Sequence, residues 1–173
     1  MINNQFNIEK FLNLSGYSDN RTDRRKGAGG TQEFFTPYSI VKRMCDKVSD
    51  EDWADPQKTF LEPSAGSGQF VIYIIWNRLQ HGIDWKTALK TCYSVELMQD
   101  NVDEMKERVH KMLEQICPDY IGVDTKTGCV HTPYNKASAT RIMNKNFVCH
   151  DFFTWDFEEW RPMTEEEIKK KKK

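Results

Sequence analysis

Glu62 stands immediately before the turn Pro63-Ser64-Ala65-Gly66-Ser67-Gly68, Glu96 closes the run Thr91-Cys92-Tyr93-Ser94-Val95, and Asp151 follows Phe147-Val148-Cys149-His150. Each acid sits at the carboxyl end of a short apolar run that reads as a strand, and in an open parallel sheet ligands bind beyond those ends. Gly66 and Gly68 can take backbone angles closed to other residues, and a missing Cβ lets a ligand lie against the main chain at a helix start. A carboxylate that ends the second strand offers two acceptor oxygens, which match the vicinal hydroxyls of a ribose. The chemistry implied is recognition of an adenosine-bearing ligand. Neither the dinucleotide fingerprint G-x-G-x-x-G nor the phosphate loop G-x-x-x-x-G-K-[ST] occurs, which argues against NAD and ATP. Cys129 with His131 and Cys149 with His150 lack the second pair that a zinc site needs, so no metal is expected.

These residues need a strand–turn–helix scaffold, and the pattern supplies one. Residues 59–62 read as a strand and QFVIYIIWNRLQHG as a helix that is apolar nearly all round; with the glycine turn between them they make the opening unit of an α/β sheet. A short helix over 84–91, a second strand over 91–96 and the amphipathic helix MQDNVDEMKERVHKMLEQIC, stopped by Pro118, follow. Residues 121–134 alternate about a Lys-Thr-Gly turn and suggest a hairpin, and 146–152 a third strand. The 34 residues from Glu62 to Glu96 exceed the roughly 20 of a simple βαβ unit, an excess assigned to residues 82–90. Upstream, Pro37 opens a helix through TPYSIVKRMCDKVSDE, with Ile40, Val41, Met44 and Val48 at helical spacing and Thr36 as its N-cap.

Residues 1–33 read as an N-terminal arm with a short helix around Ile8 to Leu14; its cluster Arg21, Arg24, Arg25 and Lys26 reads as solvated. Residues 34–160 form the main domain and 161–173 a charged tail, in which Glu165, Glu166 and Glu167 face Lys169, Lys170 and Lys171 at i,i+4 as an exposed, frayed helix. Trp155, Phe157 and Trp160 have the spacing of packing residues more than of base-stacking platforms. Asp151 suits a turn cap as well as a ligand contact.

The 25 Lys plus Arg against 26 Asp plus Glu give a net charge of −1, so no global basic field marks nucleic acid and any DNA contact must be local. Apolar residues at 38% and charged residues at 29% fit neither a disordered nor a membrane chain. The five widely spaced cysteines and an N-terminus without a signal layout place the protein in the cytoplasm with reduced thiols.

The run Phe60-Leu61-Glu62-Pro63-Ser64-Ala65-Gly66-Ser67-Gly68-Gln69-Phe70 closely resembles the cofactor motif (D/E)-P-x-x-G-x-G-x-F of S-adenosylmethionine-dependent DNA adenine-N6 methyltransferases. Glu33-Phe34-Phe35-Thr36-Pro37 resembles the family's upstream F-x-T-P segment, Ser94-Val95-Glu96 its motif II and Cys149-His150-Asp151-Phe152 its motif III, in family order over residues 30–155. The resemblance implies a Rossmann-like class I methyltransferase α/β sheet, here about three parallel strands with flanking helices. It implies S-adenosyl-L-methionine as cofactor and DNA as partner in a restriction and modification setting. Thr36 and Pro37 would border the cofactor; Glu62, Pro63, Gly66, Gly68 and Phe70 belong to the motif that holds its methionine end; Glu96 would bind the ribose, Asp151 the adenine amino group, and Phe152 would lie beside the ring.

The family's catalytic motif [DNS]-P-P-[YFW], which clamps a flipped adenine, has no counterpart. The prolines are 37, 56, 63, 118, 133 and 162, none adjacent, and Thr132-Pro133-Tyr134 precedes motif III and so lies out of order. No catalytic residue is therefore assigned. Two function classes remain open: the cofactor-binding part of a DNA adenine methyltransferase, inactive alone and completed by a chain that carries the catalytic motif, or a cofactor-binding regulatory or decoy protein. The terminal lysine run could be encoded by a slippery adenine tract, with the expectation that the missing half is encoded downstream.

Overall fold

In the computed structural model, residues 6–14, 36–117, 119 and 121–171 are described. Glu33, Phe34, Phe35 and the basic cluster from Arg21 to Lys26 lie outside them. The elements are α1 (Ile8–Leu14), α2 (Tyr38–Cys45), α3 (Asp50–Ala54), β1 (Phe60–Glu62), α4 (Gln69–Gln80), α5 (Trp85–Lys90), β2 (Cys92–Glu96), α6 (Gln99–Ile116), β3 (Gly122–Val123), β4 (Val130–His131), α7 (Lys136–Asn146), β5 (Phe147–Cys149), a 3-10 turn (Phe152–Thr154), β6 (Trp155–Asp156), β7 (Arg161–Pro162) and α8 (Glu165–Lys171). β1, β2 and β5 pair in parallel in chain order, Glu62 beside Ser94 and Glu96 beside Cys149. The fold is mixed α/β, a three-stranded parallel sheet flanked by helices. No helix of the described residues is long and apolar enough to cross a membrane.

Register and alternation sort the strand side chains. Phe60, Glu62, Cys92, Ser94, Glu96, Phe147 and Cys149 share one face. That face meets α4 through Phe60 beneath Arg78 and α6 through Ser94 beneath Met105. α4 is buried nearly all round, with Val71, Ile72, Tyr73, Ile74, Ile75 and Leu79 inside, because α1, α2, α5 and α6 surround its sheet-distant sides. Each such side chain contributes about 1.5–3 kcal/mol by leaving water. Ile8 and Leu12 of α1 join the same core.

On the opposite face stand Leu61, Tyr93, Val95 and Val148. The β6–β7 hairpin covers part of it: the Trp160 ring meets Tyr93 edge-on at 4.8 Å and Trp155 at 5.3 Å. Trp160 adopts φ 52°, a left-handed conformation that costs a bulky residue about 1–2 kcal/mol. Its indole N–H donates to the Lys145 carbonyl at 2.7 Å, which holds it there. The Trp155 and Trp160 rings thus pack, as their spacing suggests. Leu61, on the edge strand β1, is left 46% exposed.

Three local expectations change. The helix expected from Pro37 through Glu51 is two helices: α2 stops at Cys45, and the Ser49 hydroxyl accepts from Asp52 N–H at 3.1 Å to start α3. A serine cap followed by Asp50, Glu51 and Asp52 at the positive end of a helix dipole outcompetes continuation. Thr36 is not the cap of α2; Pro37 holds that position, with no side-chain hydrogen bond. Helix α7 falls where no element is expected, capped by Asn135, which accepts from Ser138 N–H at 2.9 Å. Its last residue, Asn146, donates its side-chain amide to the Leu89 and Lys90 carbonyls, both at 3.0 Å, fastening α7 to the end of α5. The tail helix α8 has a reciprocal cap, in which Glu167 accepts from Thr164 N–H at 2.6 Å and pairs with Arg161 at 2.9 Å.

Arg78 is fully buried. Its guanidinium lies 5.1 Å from the Phe60 ring centroid, and that ring stacks on Trp53 at 4.7 Å. None of its three guanidinium nitrogens meets an acceptor among the described residues, and burial pulls its pKa down. Replacing an uncompensated buried charge with an apolar chain of similar length stabilises. Arg78→Met should therefore raise the unfolding free energy in urea by about 1 kcal/mol or more; a loss of stability would show that the guanidinium–Phe60 contact outweighs desolvation.

Candidate functional site

The three strand-end acids converge on one end of the sheet. Glu62 is the last residue of β1 and Glu96 the last of β2. His150 N–H donates to the Glu96 carbonyl at 2.9 Å, which carries the β2–β5 pairing up to Asp151. The glycine turn folds back over β2, with Ala65 N–H donating to the Val95 carbonyl at 3.2 Å. Gly66 and Gly68 both take positive φ, 52° and 88°, where glycine alone is unstrained.

Glu96 is nearly buried and its carboxylate is heavily used. Oε2 accepts from Gly66 N–H at 2.8 Å, while Oε1 accepts from Met98 N–H at 3.0 Å and from the Asn101 side-chain amide at 3.2 Å. A carboxylate has about four acceptor positions, so these donors leave about one. Glu62 accepts from Ser64 N–H at 3.1 Å. Burial pushes its pKa up, the Ser64 N–H pulls it back, and the Glu96 charge adds to the rise.

The remaining expected residues surround this pair unevenly. Gln69, next to the turn, directs its side-chain amide at the Thr36 carbonyl at 3.4 Å, which places Thr36, with Pro37 after it, near the start of α4. Pro63 is exposed and Phe70 packs partly into the core. Asp151 is exposed and accepts from Phe153 N–H at 2.9 Å, so in this structure it is the cap of the 3-10 turn. Phe152 is 38% exposed, its ring leaning on Phe157 at 4.9 Å.

Sequence reasoning missed Leu97 and Arg108. Leu97, directly after Glu96, is 64% exposed, and the Cys149 thiol donates to its carbonyl at 3.3 Å. Arg108 of α6 is 2% exposed. It donates to the Ser67 carbonyl at 2.6 Å, the Ser67 hydroxyl at 3.1 Å and the Gln69 side-chain oxygen at 2.8 Å. Its signal was present: an arginine in the stripe of Met105, Val109 and Met112 is a charge placed on a buried face.

The described residues hold no cluster of three or more metal-ligating side chains. Burial pushes the thiols of Cys45, Cys92 and Cys117 up to about 12, so none of the three is a thiolate nucleophile at neutral pH. The structure thus brings together two carboxylates on one face of the sheet, Glu62 and Glu96, a glycine turn whose Ser64, Ala65, Gly66 and Gly68 N–H groups already donate within the protein, and the exposed side chains of Leu97 and Phe152. Comparison with protein-family models, with curated proteins and with solved structures finds no match to this chain.

A Cβ added to Gly68 would lie 2.5 Å from Cγ of Met105. Gly68→Ala should cost about 2–5 kcal/mol, from left-handed strain and overpacking together. In a Met105→Ala background only the Cβ contact at 3.0 Å is left, so the same change should cost less, approaching the backbone part of about 1–2 kcal/mol. Equal costs in both backgrounds, measured by denaturant unfolding, would remove the Met105 collision from the explanation.

Proposed function

We propose that this chain binds S-adenosylmethionine, or its homocysteine product, beyond the ends of β1 and β2, as the cofactor-binding portion of a DNA adenine-N6 methyltransferase. The observation that carries the reading is the junction of Glu62 and Glu96 with the glycine turn, sealed by the Gly66–Glu96 hydrogen bond at 2.8 Å. It is supported by the four motif-like runs in family order and by a chain-order parallel sheet compatible with one half of a Rossmann-like sheet.

When bound, S-adenosylmethionine supplies an activated methyl group on a cationic sulfur. Glu62 would face the ligand's ammonium, because a carboxylate whose charge is disfavoured by burial and by Glu96 gains most from a cation. Glu96 would accept from the ribose hydroxyls. With about one acceptor position left, it must release one of its present donors to take both, so ribose binding exchanges partners with the turn. Asp151 would accept from the adenine amino group, and Phe152 would lie beside the base.

Calorimetric titration with S-adenosylhomocysteine tests the assignment. The parent chain should give binding heat and Glu96→Ala should weaken affinity at least tenfold, since charge-assisted hydrogen bonds contribute about 1.5–3 kcal/mol each. Unchanged heats would overturn the ribose role. Affinity should rise with pH through the raised Glu62 pKa, because the ligand cation favours the ionised carboxylate; Glu62→Gln should flatten that dependence.

A second reading is favoured by one observation: no Pro-Pro pair occurs anywhere in the sequence. Methyl transfer needs the acceptor amine held in line with the sulfur, and that positioning accounts for several kcal/mol of barrier. The chain alone should bind cofactor without methylating DNA. In this reading the adenine clamp comes from residues outside these 173, or else the domain serves as a regulatory cofactor-binding unit. The exposed Leu61 on edge strand β1 is where a sheet-completing partner would pair. In a methyl-incorporation assay, adenine methylation by the purified chain alone would refute this, and activity on adding a chain with an N-P-P-[YF] segment would separate the two roles.

A further inference from the structure

The glycine turn is held from behind by a buried polar relay that sequence reasoning did not assign. Arg108 donates to the Ser67 carbonyl at 2.6 Å and the Ser67 hydroxyl at 3.1 Å, both in the turn, and to the Gln69 side-chain oxygen at 2.8 Å. Gln69 in turn directs its amide at two backbone carbonyls, Leu12 at 3.5 Å and Thr36 at 3.4 Å. These five residues come from α6, the glycine turn, the start of α4, α1 and the segment before α2. The bonds made by Arg108 are short and charge-assisted, the stronger class. Those made by Gln69 sit at the long limit of hydrogen bonding. The relay is therefore stiff at the turn and soft toward the N-terminal segments.

The geometry points to Arg108 and Gln69 as positioning residues that set the glycine turn and couple it to the seating of α1 and the Thr36–Pro37 segment. Arg108 grips both the carbonyl and the hydroxyl of Ser67 with one guanidinium nitrogen, which restrains the peptide planes between Gly66 and Gly68. With the same guanidinium it fixes the side-chain rotamer of Gln69. Only that rotamer turns the Gln69 oxygen toward α6 and its amide toward Leu12 and Thr36, since oxygen and nitrogen occupy opposite branches of one planar group. A shift of the turn, such as release of Gly66 by Glu96 demands, is thereby passed to the segment beside the cleft through the weakest bonds in the set. The consequence for ligand affinity rests on the cofactor reading above; the coupling itself does not.

Amide hydrogen exchange on the full, ligand-free chain tests it, with residues 8–14, 36–45, 64–70 and 92–96 followed separately. Gln69→Glu keeps the acceptor for Arg108 and removes the donor. It should speed exchange in 8–14 and 36–45 by about threefold to tenfold and leave 64–70 and 92–96 at parent rates. Arg108→Lys should speed 64–70 as well, with 92–96 unchanged. Equal acceleration of all four segments, which a merely structural role gives, or acceleration of none, overturns the proposal. Should Arg108→Lys fail to fold, Gln69→Glu decides alone. Calorimetry with S-adenosylhomocysteine on the same proteins separates the two readings: a parent chain that takes up no ligand while the segmental pattern holds defeats the cofactor reading and leaves the relay standing. A parent chain that binds, with Gln69→Glu, and Arg108→Lys where it folds, weakened about threefold or more at a temperature well below the melting of each variant, supports both.

Discussion

The hydrogen bond from Gly66 N–H to the Glu96 carboxylate, spanning 30 residues of sequence, is the constraint on which the top of the molecule depends. It joins the turn after β1 to the end of β2, and it gives a donor in a partly buried turn the partner whose loss would cost about 1–3 kcal/mol. Once the turn is fixed there, Gly68 must start α4 in a left-handed conformation, and the absent Cβ is the space that Met105 of α6 fills. Strand end, turn and two helices therefore form one packing problem with one solution. A carboxylate tolerates such a place only with several donors around it, and Met98 N–H and the Asn101 amide provide the others.

Much of this architecture was legible because it rests on periodicity. The apolar faces of α4 and α6, the short strands and the alternation of the 121–134 hairpin leave marks in a single sequence. The strand-end acids were legible for another reason: parallel sheets confine ligand chemistry to one end. What escaped depends on neighbours distant in sequence. The break between α2 and α3 is decided by Ser49 and by Trp53 reaching Phe60. α7 buries Ala139, Met143 and Asn146 alone of its residues, too thin a stripe to stand out among polar ones. The glycines announce an unusual turn, but that the turn aims Gly66 N–H at a carboxylate 30 residues away, so that Glu96 is already engaged, is set by the tertiary fold. Asp151 illustrates a third case, where a side chain able to cap a turn does so, and its exposed second oxygen is all that geometry adds.

The two faces of the sheet are finished by different means. One receives helices in sequence order, each with an apolar stripe. The other is met by a small aromatic hairpin whose hold depends on a single strained residue, Trp160, fixed by its indole hydrogen bond and by rings on several sides. Aromatic edge-to-face contacts contribute about 0.5–1.5 kcal/mol each beyond the area they bury, so the three together match or exceed the cost of the left-handed backbone. The hairpin pairs through two residues on each strand only, and it is on this side that local opening should begin.

The sheet's order carries a consequence for how the chain reaches this state. Since β1, β2 and β5 lie side by side in the sequence in which they are made, no strand has to be threaded between two that are already paired. Each crossover closes a loop onto the edge left by its predecessor, and loop-closure entropy grows only slowly with the length of the intervening segment. The structure can accrete from the β1–turn–α4 unit outward, one strand and one covering helix at a time. The connecting hairpin of β3 and β4 forms within its own segment. Such growth keeps an open edge in front of it at every stage, which makes the order of synthesis itself the guide to correct pairing.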